Sequence, residues 1–387
     1  MKSYLDYAAL TPIDPEVEKE MKKYNSISYG NPGSMHDAGL AAKDALDSAR
    51  EKIAKILNCS PNEIIFASGG TESINLAIKG IAFASSGRHI ITSKIEHHAV
   101  LHTCEYLEKN GFDVTYLNVD KYGLVNPKDV EKAIRDDTIL ITIMYANNEI
   151  GTIEPMEEIG RIAKKHSIPF HTDACQAGLL DLDVKKLNVD LMTLNSSKIY
   201  GPKGVGLLYK RKGIVIEPIV HGGGQEFGLR SGTENLPGIV GFAKALELMQ
   251  KNKSKESKRL IALRDKLIKG LLKIPKAFLN GHPAKRLANN VNVSILDIEG
   301  EAVLLHLNEK GICASTGSAC TAKSLEPSHV ITSLGLPYEA AHGSLRFSLG
   351  KYTTGKDIDA VLKYLPEIVK NLRLLSPVRL KKEDMRR

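Results

Sequence analysis

The stretch LMTLNSSKIYGPKGVGLLY, residues 191–209, contains two short apolar runs separated by a Gly- and Pro-containing turn. Each run is long enough for one buried β-strand, and Lys198 follows directly after the first. Burial of a lysine lowers its affinity for a proton, and the neutral amine can then bond covalently to a carbonyl compound. We therefore interpret Lys198 as a chemically reactive lysine and Lys203, within the turn, as a surface lysine.

The same pattern continues on the amino-terminal side of this stretch, back to about residue 60. Segments long enough for helical crossovers separate most of the apolar runs, as at Glu72–Ala84, Ala99–Lys109 and Met156–His166. This alternation predicts an α/β fold, with an open sheet that helices cover on both faces. The predicted strands are Ile64–Ser68, His89–Ser93, Val114–Val119, Ile139–Tyr145, Pro169–Thr172, Leu191–Asn195 and Val205–Tyr209.

Beyond Gly213 the alternation stops, and the sequence predicts a long helix from Leu236 to about Leu272. A smaller α+β unit is predicted after it, with strands at Asn290–Ile295 and Ser344–Ser348 and helices at Glu301–Glu309 and Lys356–Leu372. We therefore expect a large domain at residues 15–250. A small domain would combine residues 1–14 with residues 251–387.

The composition is that of a globular protein, with 42% hydrophobic and 25% charged residues among 387. The longest apolar run, Ile139–Ala146, is far shorter than the ~20 residues of a membrane helix. Asp6 interrupts the amino terminus before a signal sequence could form, so we expect a cytoplasmic protein without a membrane partner. The net charge of +8 is scattered along helical stretches, apart from Lys251–Arg259 and Arg379–Arg387. Scattered positive charge does not favour binding to nucleic acid. An acidic protein partner is as compatible with the basic tail as nucleic acid is.

The five cysteines form an odd set without a Cys-x-x-Cys pair, which argues against a disulfide framework and a zinc knuckle. Cys313 stands beside Ile312 and is expected in a strand and the core. Cys320 instead lies in a run of small residues, Ala314–Lys323, without an apolar stripe. We expect it in an exposed loop, where it is the candidate nucleophile.

Polar residues follow several predicted strands, at the edge where open α/β sheets bind ligands. Gly70 and Thr71 open a helix and could hold a phosphate, although Ser and Thr caps are common at helix starts. Asp173 could pair with a protonated heterocycle nitrogen or could simply cap a helix. Asn148 and His97 follow two other strands. Together with Lys198, these groups favour a site for pyridoxal 5′-phosphate (PLP).

Three other stretches resemble functional motifs, but each lacks a residue that the motif requires. Gly350–Lys356 fits the spacing of a P-loop, but Asp357 stands where Ser or Thr is needed. The His221-Gly-Gly-Gly run resembles an oxyanion loop, but the sequence has no Gly-x-Ser-x-Gly elbow. His98 and His102 have helical i, i+4 spacing without a suitably spaced third ligand, so no metal site is predicted.

In combination, the sequence resembles the cysteine desulfurases, the NifS/IscS branch of the fold-type-I PLP-dependent enzymes of the class-V aminotransferase family. The resemblance covers nearly the whole chain. It rests on YLDYAA (4–9), YGNPGSMH (29–36), SGGTES (68–73), EH (96–97), NNEIGT (147–152), DACQ (173–176), KIYGPKG (198–204), HGGGQE (221–226), RSGT (230–233), TGSAC (316–320) and LRFSLG (345–350). It implies a mixed, mostly parallel seven-stranded sheet in the large domain, and a small domain that carries the cysteine loop and the carboxy-terminal tail.

The resemblance also implies a role for each cofactor residue. Lys198 would hold PLP covalently and move the substrate Cα proton, and Asp173 would pair with the ring nitrogen. His97 would stack on the ring and help to deprotonate the substrate thiol. Hydrogen bonds to the ring hydroxyl would come from Gln176 and Asn148. The phosphate contacts would be Gly70, Thr71, Asn195, Ser197 and, across a homodimer interface, Thr233.

For the substrate, the family pattern implies L-cysteine, with Asn31, Asn148 and Arg346 as binding residues. Arg346 would hold its carboxylate. Cys320 would take the sulfur as a persulfide, release L-alanine and pass the sulfur to an acceptor. The acceptor would be an iron–sulfur scaffold protein, a tRNA-thiolation enzyme or another carrier. With such a partner, Cys320 could also ligate iron.

Two positions depart from the family pattern, and they keep other functions open. Ser197 replaces a usual histidine and Asn195 a usual serine, which predicts weaker phosphate binding. One alternative is a PLP enzyme of the selenocysteine lyase type, which needs no persulfide on Cys320. Another is a slow desulfurase that serves mainly as a scaffold for an iron–sulfur assembly partner.

Overall fold

The computed structural model describes residues 2–317 and 327–375. The strands are β1 Ser3–Tyr4, β2 Ile64–Ala67, β3 His89–Ser93, β4 Asp113–Leu117, β5 Thr138–Thr142, β6 Phe170–Asp173, β7 Leu191–Asn195, β8 Gly206–Lys210, β9 Ala277–Leu279, β10 Asn290–Ile295, β11 Ile312–Cys313 and β12 Ser344–Ser348. The helices are α1 Pro15–Ser26, α2 Asp37–Leu57, α3 Gly70–Ala84, α4 His98–Glu108, α5 Pro127–Ala133, α6 Met156–Lys165, α7 Val184–Leu187, α8 Leu236–Leu271, α9 Gly300–Glu309, α10 His329–Ser333, α11 Tyr338–His342 and α12 Gly355–Leu375. None of the described helices is long and apolar enough to cross a membrane.

The largest sheet has seven strands in the order β2-β8-β7-β6-β5-β3-β4. Its strands from β7 to β4 pair in parallel, whereas β8 is antiparallel to both of its neighbours. The predicted mixed, mostly parallel seven-stranded sheet is therefore confirmed, as is the α/β class. Because β3, β5, β6 and β7 all run the same way, the polar residues that follow them meet at one edge of the sheet.

Both faces of this sheet are covered by helices, because its buried residues alternate between two apolar layers. Ile64 and Phe66 of β2 pack in the layer formed with α2, α6 and the first half of α8. Ile65, between them, packs on the opposite face against α3 and α4. The same alternation holds in β8, where Leu207 and Leu208 face opposite layers.

Apart from these two layers, a third apolar cluster is formed around the strands that follow α8. The antiparallel sheet β12-β10-β9 packs against α9 and α12, with Val291 and Phe347 fully buried. Leu5 is buried in the same cluster, because β1 pairs in parallel with β11. Helix α8 spans residue 250 without a break. The division into residues 15–250 on one side, and 1–14 with 251–387 on the other, stays a prediction.

Candidate active site

The strand ends at the carboxyl edge of the large sheet surround a cavity of about 210 Å³. Its walls come from β6, β7, the start of α3, β12 and the amino-terminal segment. The residues that line it are Ala8, Ala9, Gly70, Thr71, Ile74, His97, Met144, Ala146, Asn148, Asp173, Cys175, Gln176, Asn195, Lys198 and Arg346. The fold thus brings most of the predicted site residues together, although Gly70 and Arg346 are 276 residues apart in the sequence.

The start of α3 forms an open cradle in this cavity. Gly70 is the first residue of the helix, so its amide N–H has no partner within the helix and can face an anion. A Cβ at Gly70 would lie 2.8 Å from Cys175 Sγ, so a larger residue would close the cradle. The loop is held from outside, because Glu72 accepts a 2.9 Å hydrogen bond from Ser68 N and pairs with Arg230 at 2.7 Å. This arrangement suits a phosphate group.

Asp173 ends β6 and is buried beside the cradle. Its Oδ1 accepts a hydrogen bond from Cys175 N at 2.9 Å. Asp173 therefore lies in the cavity, and the helix-capping alternative is wrong, because this contact closes a turn and no helix begins between β6 and α7. Burial raises the pKa of the neighbouring Cys175 thiol well above its ordinary value, which disfavours the reactive thiolate form.

Lys198 reaches into the cavity from a 3₁₀ turn directly after β7. Its Nζ donates hydrogen bonds to the backbone oxygens of Ala8, at 3.0 Å, and Ala9. Gln176 Nε2 donates to the same Ala8 oxygen at 3.0 Å. Lys203 is exposed and does not line the cavity. The structure therefore places these two lysines as the sequence predicted.

His97 is the N-cap of α4, and its Nδ1 accepts a hydrogen bond from Ala99 N at 3.1 Å. A neutral ring with this contact carries its proton on Nε2. The preceding residue, Glu96, is fully buried, and burial raises the pKa of its carboxyl to about 8. Burial and three neighbouring histidines lower the pKa of His98 to about 4. In the described residues no cluster that could hold a metal ion is present, His98 and His102 included.

Arg346, on β12, is only 2% exposed and lies at the cavity wall. Its Nη2 pairs with Asp6 Oδ1 at 2.9 Å, and its Nη1 donates to the backbone oxygen of Asn148 at 3.2 Å. Its Nε is buried and has no partner within the described part of the chain. A buried donor without an acceptor is costly, so this atom fits a ligand carboxylate.

Asn195 and Ser197, the two departures from the family pattern, contact each other. Ser197 N and Ser197 Oγ both donate to Asn195 Oδ1, at 3.3 and 3.2 Å. This fixes the amide so that Nδ2 lies on the side of Gly70, 3.6 Å from where a Cβ of that glycine would be. Ser197 is buried and does not itself line the cavity. Direct contact of Ser197 with a phosphate stays a prediction.

Besides Ser197, three predicted site residues are not among those that line the cavity. Asn31 is exposed, and its Oδ1 accepts a hydrogen bond from Gly33 N. Thr233 is exposed in the loop before α8. Cys320 lies outside the described residues. In the described chain on either side of it, Ser328 Oγ donates a 2.5 Å hydrogen bond to Glu149 Oε2, and the same carboxylate lies beside Gly317.

The sequence did not reveal the part that the amino-terminal segment plays in the site. Ala8 and Ala9 contact Lys198 through backbone oxygens, which leave no trace in residue type. Asp6 could have been found, because it is the acid in the YLDYAA motif and now pairs with Arg346.

Comparison with known proteins places the chain in a family. Residues 3–361 match the family described as aminotransferase class-V. A cysteine desulfurase IscS of Methanosarcina thermophila is 59% identical over 97% of this chain and 94% of its own length. Another from Dictyoglomus turgidum is 54% identical, over 97% and 96%.

Solved structures give the same result. A NifS-like protein matches with a TM-score of 0.90 at 42% identity, over 96% of this chain and 100% of the other. SspA in complex with cysteine matches with a TM-score of 0.81 at 42% identity, over 92% and 100%. The fold, the cavity residues and these matches agree: the chain belongs to the class-V aminotransferase family and, within it, to the cysteine desulfurases.

Proposed function

We propose that this protein is a PLP-dependent cysteine desulfurase that converts L-cysteine to L-alanine and transfers the sulfur to Cys320. One observation carries the proposal. Lys198, Asp173 and Arg346, which lie far apart in the sequence, surround one cavity in a chain whose relatives are named cysteine desulfurases.

The cavity residues fit PLP. The open start of α3 at Gly70 suits the phosphate, and the buried carboxylate of Asp173 suits a protonated ring nitrogen. Lys198 is within the same cavity to hold the aldehyde carbon. Asn148 and Gln176 have side-chain amides at its wall for the ring hydroxyl, and His97 lies there for the ring face.

When bound, PLP supplies an electron-withdrawing ring that makes the substrate Cα proton acidic and activates the bond from carbon to sulfur. Asp173 would keep the ring nitrogen protonated. Lys198 would hold the cofactor and move the Cα proton, and the Nε2 side of His97 would exchange the thiol proton. Arg346 and Asn148 would hold the substrate carboxylate, with the unpartnered Arg346 Nε as one donor. Asn31 stays a further proposed substrate contact.

The sulfur acceptor on the enzyme is Cys320. Its thiolate would attack the substrate sulfur, an S–S bond would form, and the C–S bond would break with its electron pair going to carbon. A proton then completes alanine, so L-cysteine and the thiol give L-alanine and a persulfide. Gly317, three residues earlier, lies beside Glu149, next to Asn148.

A Cys320→Ser variant tests this reaction. We expect it to bind PLP and to change its absorption spectrum when cysteine is added, because Lys198 and Asp173 are intact. It should release almost no alanine and carry no 32-dalton sulfur adduct by mass spectrometry.

Cys313→Ser is the matched control for this experiment and should keep most of the activity, since Cys313 belongs to β11. Alanine release by Cys320→Ser at close to the wild-type rate would contradict the proposal. That result would favour the selenocysteine lyase alternative.

The persulfide would pass to a protein of iron–sulfur cluster assembly or of tRNA thiolation in the cytoplasm. Incubating the purified enzyme with ³⁵S-cysteine and then with cell proteins would identify the acceptor that gains label. If the added acceptor raises a very slow alanine release many-fold, the scaffold alternative is favoured. Equal turnover with and without it would exclude that alternative.

The enzyme would act as a homodimer. Ile27, Tyr29 and Met35 are 77–94% exposed in the single chain, and a partner surface would cover such large apolar side chains. Thr233 is exposed and does not line the cavity of its own chain, consistent with a contact to the partner's phosphate. Sedimentation should show a dimer, and an active PLP-loaded monomer would contradict this proposal.

A further inference from the structure

The amino-terminal segment suggests a resting position for the catalytic lysine. We propose that the backbone oxygens of Ala8 and Ala9 hold the Lys198 ammonium whenever this amine is not bonded to the cofactor. Thr11 and Ser348 are the positioning residues that keep these oxygens in place. The inference rests on the proposed function, since it gives the lysine of that site a second, defined position.

The contacts of Lys198 carry the first step. An ammonium has three donors and loses hydration when it is partly buried, so it needs acceptors from the protein. Two come from consecutive peptide oxygens, those of Ala8 and Ala9. Gln176 Nε2 also donates to the Ala8 oxygen, so both lone pairs of that oxygen accept a hydrogen bond. These oxygens point into the cavity, where they compete with the cofactor for the same nitrogen.

The second step is that the segment is tied to the chain on both sides of Lys198. Thr11 N and Thr11 Oγ1 each donate to the Ser197 oxygen at 3.0 Å, and Thr11 Oγ1 accepts from Tyr200 N at 2.8 Å. Thr11 is buried, so water does not replace these bonds. A single hydroxyl therefore fixes the segment to the residue before Lys198 and to the second residue after it.

The other end of the segment is tied to β12. Ala8 N donates to Ser348 Oγ at 2.8 Å, and Tyr7 N donates to the Ser348 backbone oxygen at 3.3 Å. Ser348 is fully buried. The two peptide groups that carry the Ala8 and Ala9 oxygens thus lie between two hydroxyls, that of Ser348 on one side and that of Thr11 on the other.

The reactivity of the Lys198 amine can be measured without turnover and without cofactor. Acetic anhydride acylates only neutral amines, and hydrogen bonds to carbonyl oxygens stabilise the charged form. In the full-length protein freed of PLP, trace acetylation at pH 8 followed by peptide mass spectrometry measures the reactivity of Lys198. Exposed Lys203, five residues later, is the internal control.

Thr11→Val keeps the shape of the side chain and removes the hydroxyl. We expect Lys198 acetylation to rise about threefold to tenfold, the effect of weakening one or two hydrogen bonds, while Lys203 is unchanged. Thr11→Ser restores the hydroxyl and should return the wild-type rate. Ser348→Ala should act in the same direction from the opposite end.

Unchanged Lys198 acetylation in both Thr11→Val and Ser348→Ala would overturn the inference. A rise that extends to Lys203, with a lower Tm and no rescue by Thr11→Ser, would also overturn it, because it would show general loosening. If Cys320→Ser stays active while Lys198 acetylation follows the pattern above, the proposed reaction fails and the lysine position stands.

Discussion

At the scale of single residues, Asn195 and Ser197 act as a pair. Oδ1 of Asn195 is fully engaged by the Ser197 N–H and hydroxyl, which leaves Nδ2 for the cradle at Gly70. Ser197→Ala should therefore weaken PLP binding about twofold to tenfold, although Ser197 does not line the cavity. A fluorescence titration with PLP measures this.

The matched test is the same change in an Asn195→Ala background, where it should have no further effect on PLP affinity. Additive losses would show that Ser197 acts on the cofactor directly. Ser197→His, which the family pattern predicts to tighten PLP binding about tenfold or more, remains a separate prediction. The loss of the Ser197–Asn195 hydrogen bond works against that gain.

The two lysines after β7 give a second prediction at this scale. Lys198→Ala should remove the covalent attachment of PLP but retain some non-covalent binding, because the cradle and Asp173 remain. Lys203→Ala should leave the attachment intact, since Lys203 is exposed. Borohydride reduction followed by peptide mapping locates the attached PLP, and a label on Lys203 would contradict the assignment.

Side chains at strand ends could be predicted because parallel strands end at one edge of the sheet. Lys198, Asp173 and Asn148 were found in this way. The oxygens of Ala8 and Ala9 could not be, because every residue carries a backbone oxygen. Their contact with Lys198 also spans about 190 residues, beyond the reach of any local pattern.

At the scale of elements, β8 positions the phosphate cradle. A Cβ at Gly206 would lie 2.6 Å from the carbonyl carbon of Gly69, so only glycine allows the two backbones to approach this closely. Gly206→Ala should displace the start of α3 and weaken PLP binding about tenfold. Overpacking of this kind costs about 1–3 kcal/mol of stability.

Gly355→Ala is the control for this change, because a Cβ there would meet open space at the start of α12. PLP titration and urea unfolding of both variants separate cofactor binding from stability. Equal PLP affinity in Gly206→Ala and the wild type would show that the cradle tolerates the shift.

The elements of the large sheet could be predicted because each carries its own apolar run. The shortest elements could not. Strand β1 has two residues, and its partner β11 lies more than 300 residues later, so neither has a local signal. Helix α7 has four residues, too few for a helical period to show. The antiparallel direction of β8 is seen only in its pairing with β2 and β7, which the sequence of the strand does not encode locally.

At the scale of the whole molecule, buried Glu96 makes stability depend on pH. Burial raises the pKa of its carboxyl from 4.5 to about 8 in the folded protein. Between these values the unfolded chain loses the proton and the folded chain keeps it, so the free energy of unfolding falls as pH rises from about 4.5 to 8. Burial also raises the pKa of Glu154, which acts in the same direction.

Glu96→Gln keeps the shape of the neutral acid and removes this contribution. Its free energy of unfolding should fall less steeply than that of the wild type between pH 5 and pH 8. The difference should grow to roughly a few kcal/mol, at about 1.4 kcal/mol for each pKa unit. Urea unfolding at pH 5, 6, 7 and 8 measures it, with exposed Glu158→Gln as control. Parallel pH curves for Glu96→Gln and the wild type would contradict the prediction.

The pairing of the amino-terminal segment with β11 and β12 also has a consequence for the order of events during synthesis. Asp6 and Ala8 leave the ribosome early, but Arg346 and Ser348, to which they bind, follow 340 residues later. At about 5–20 residues per second, that delay lasts roughly 15–70 seconds. A nascent chain therefore carries Lys198 and the Ala8–Ala9 carbonyl pair before Ser348, which holds that pair in place, has been made. The site is completed only when translation has passed the last strand, so a prematurely released chain cannot assemble it.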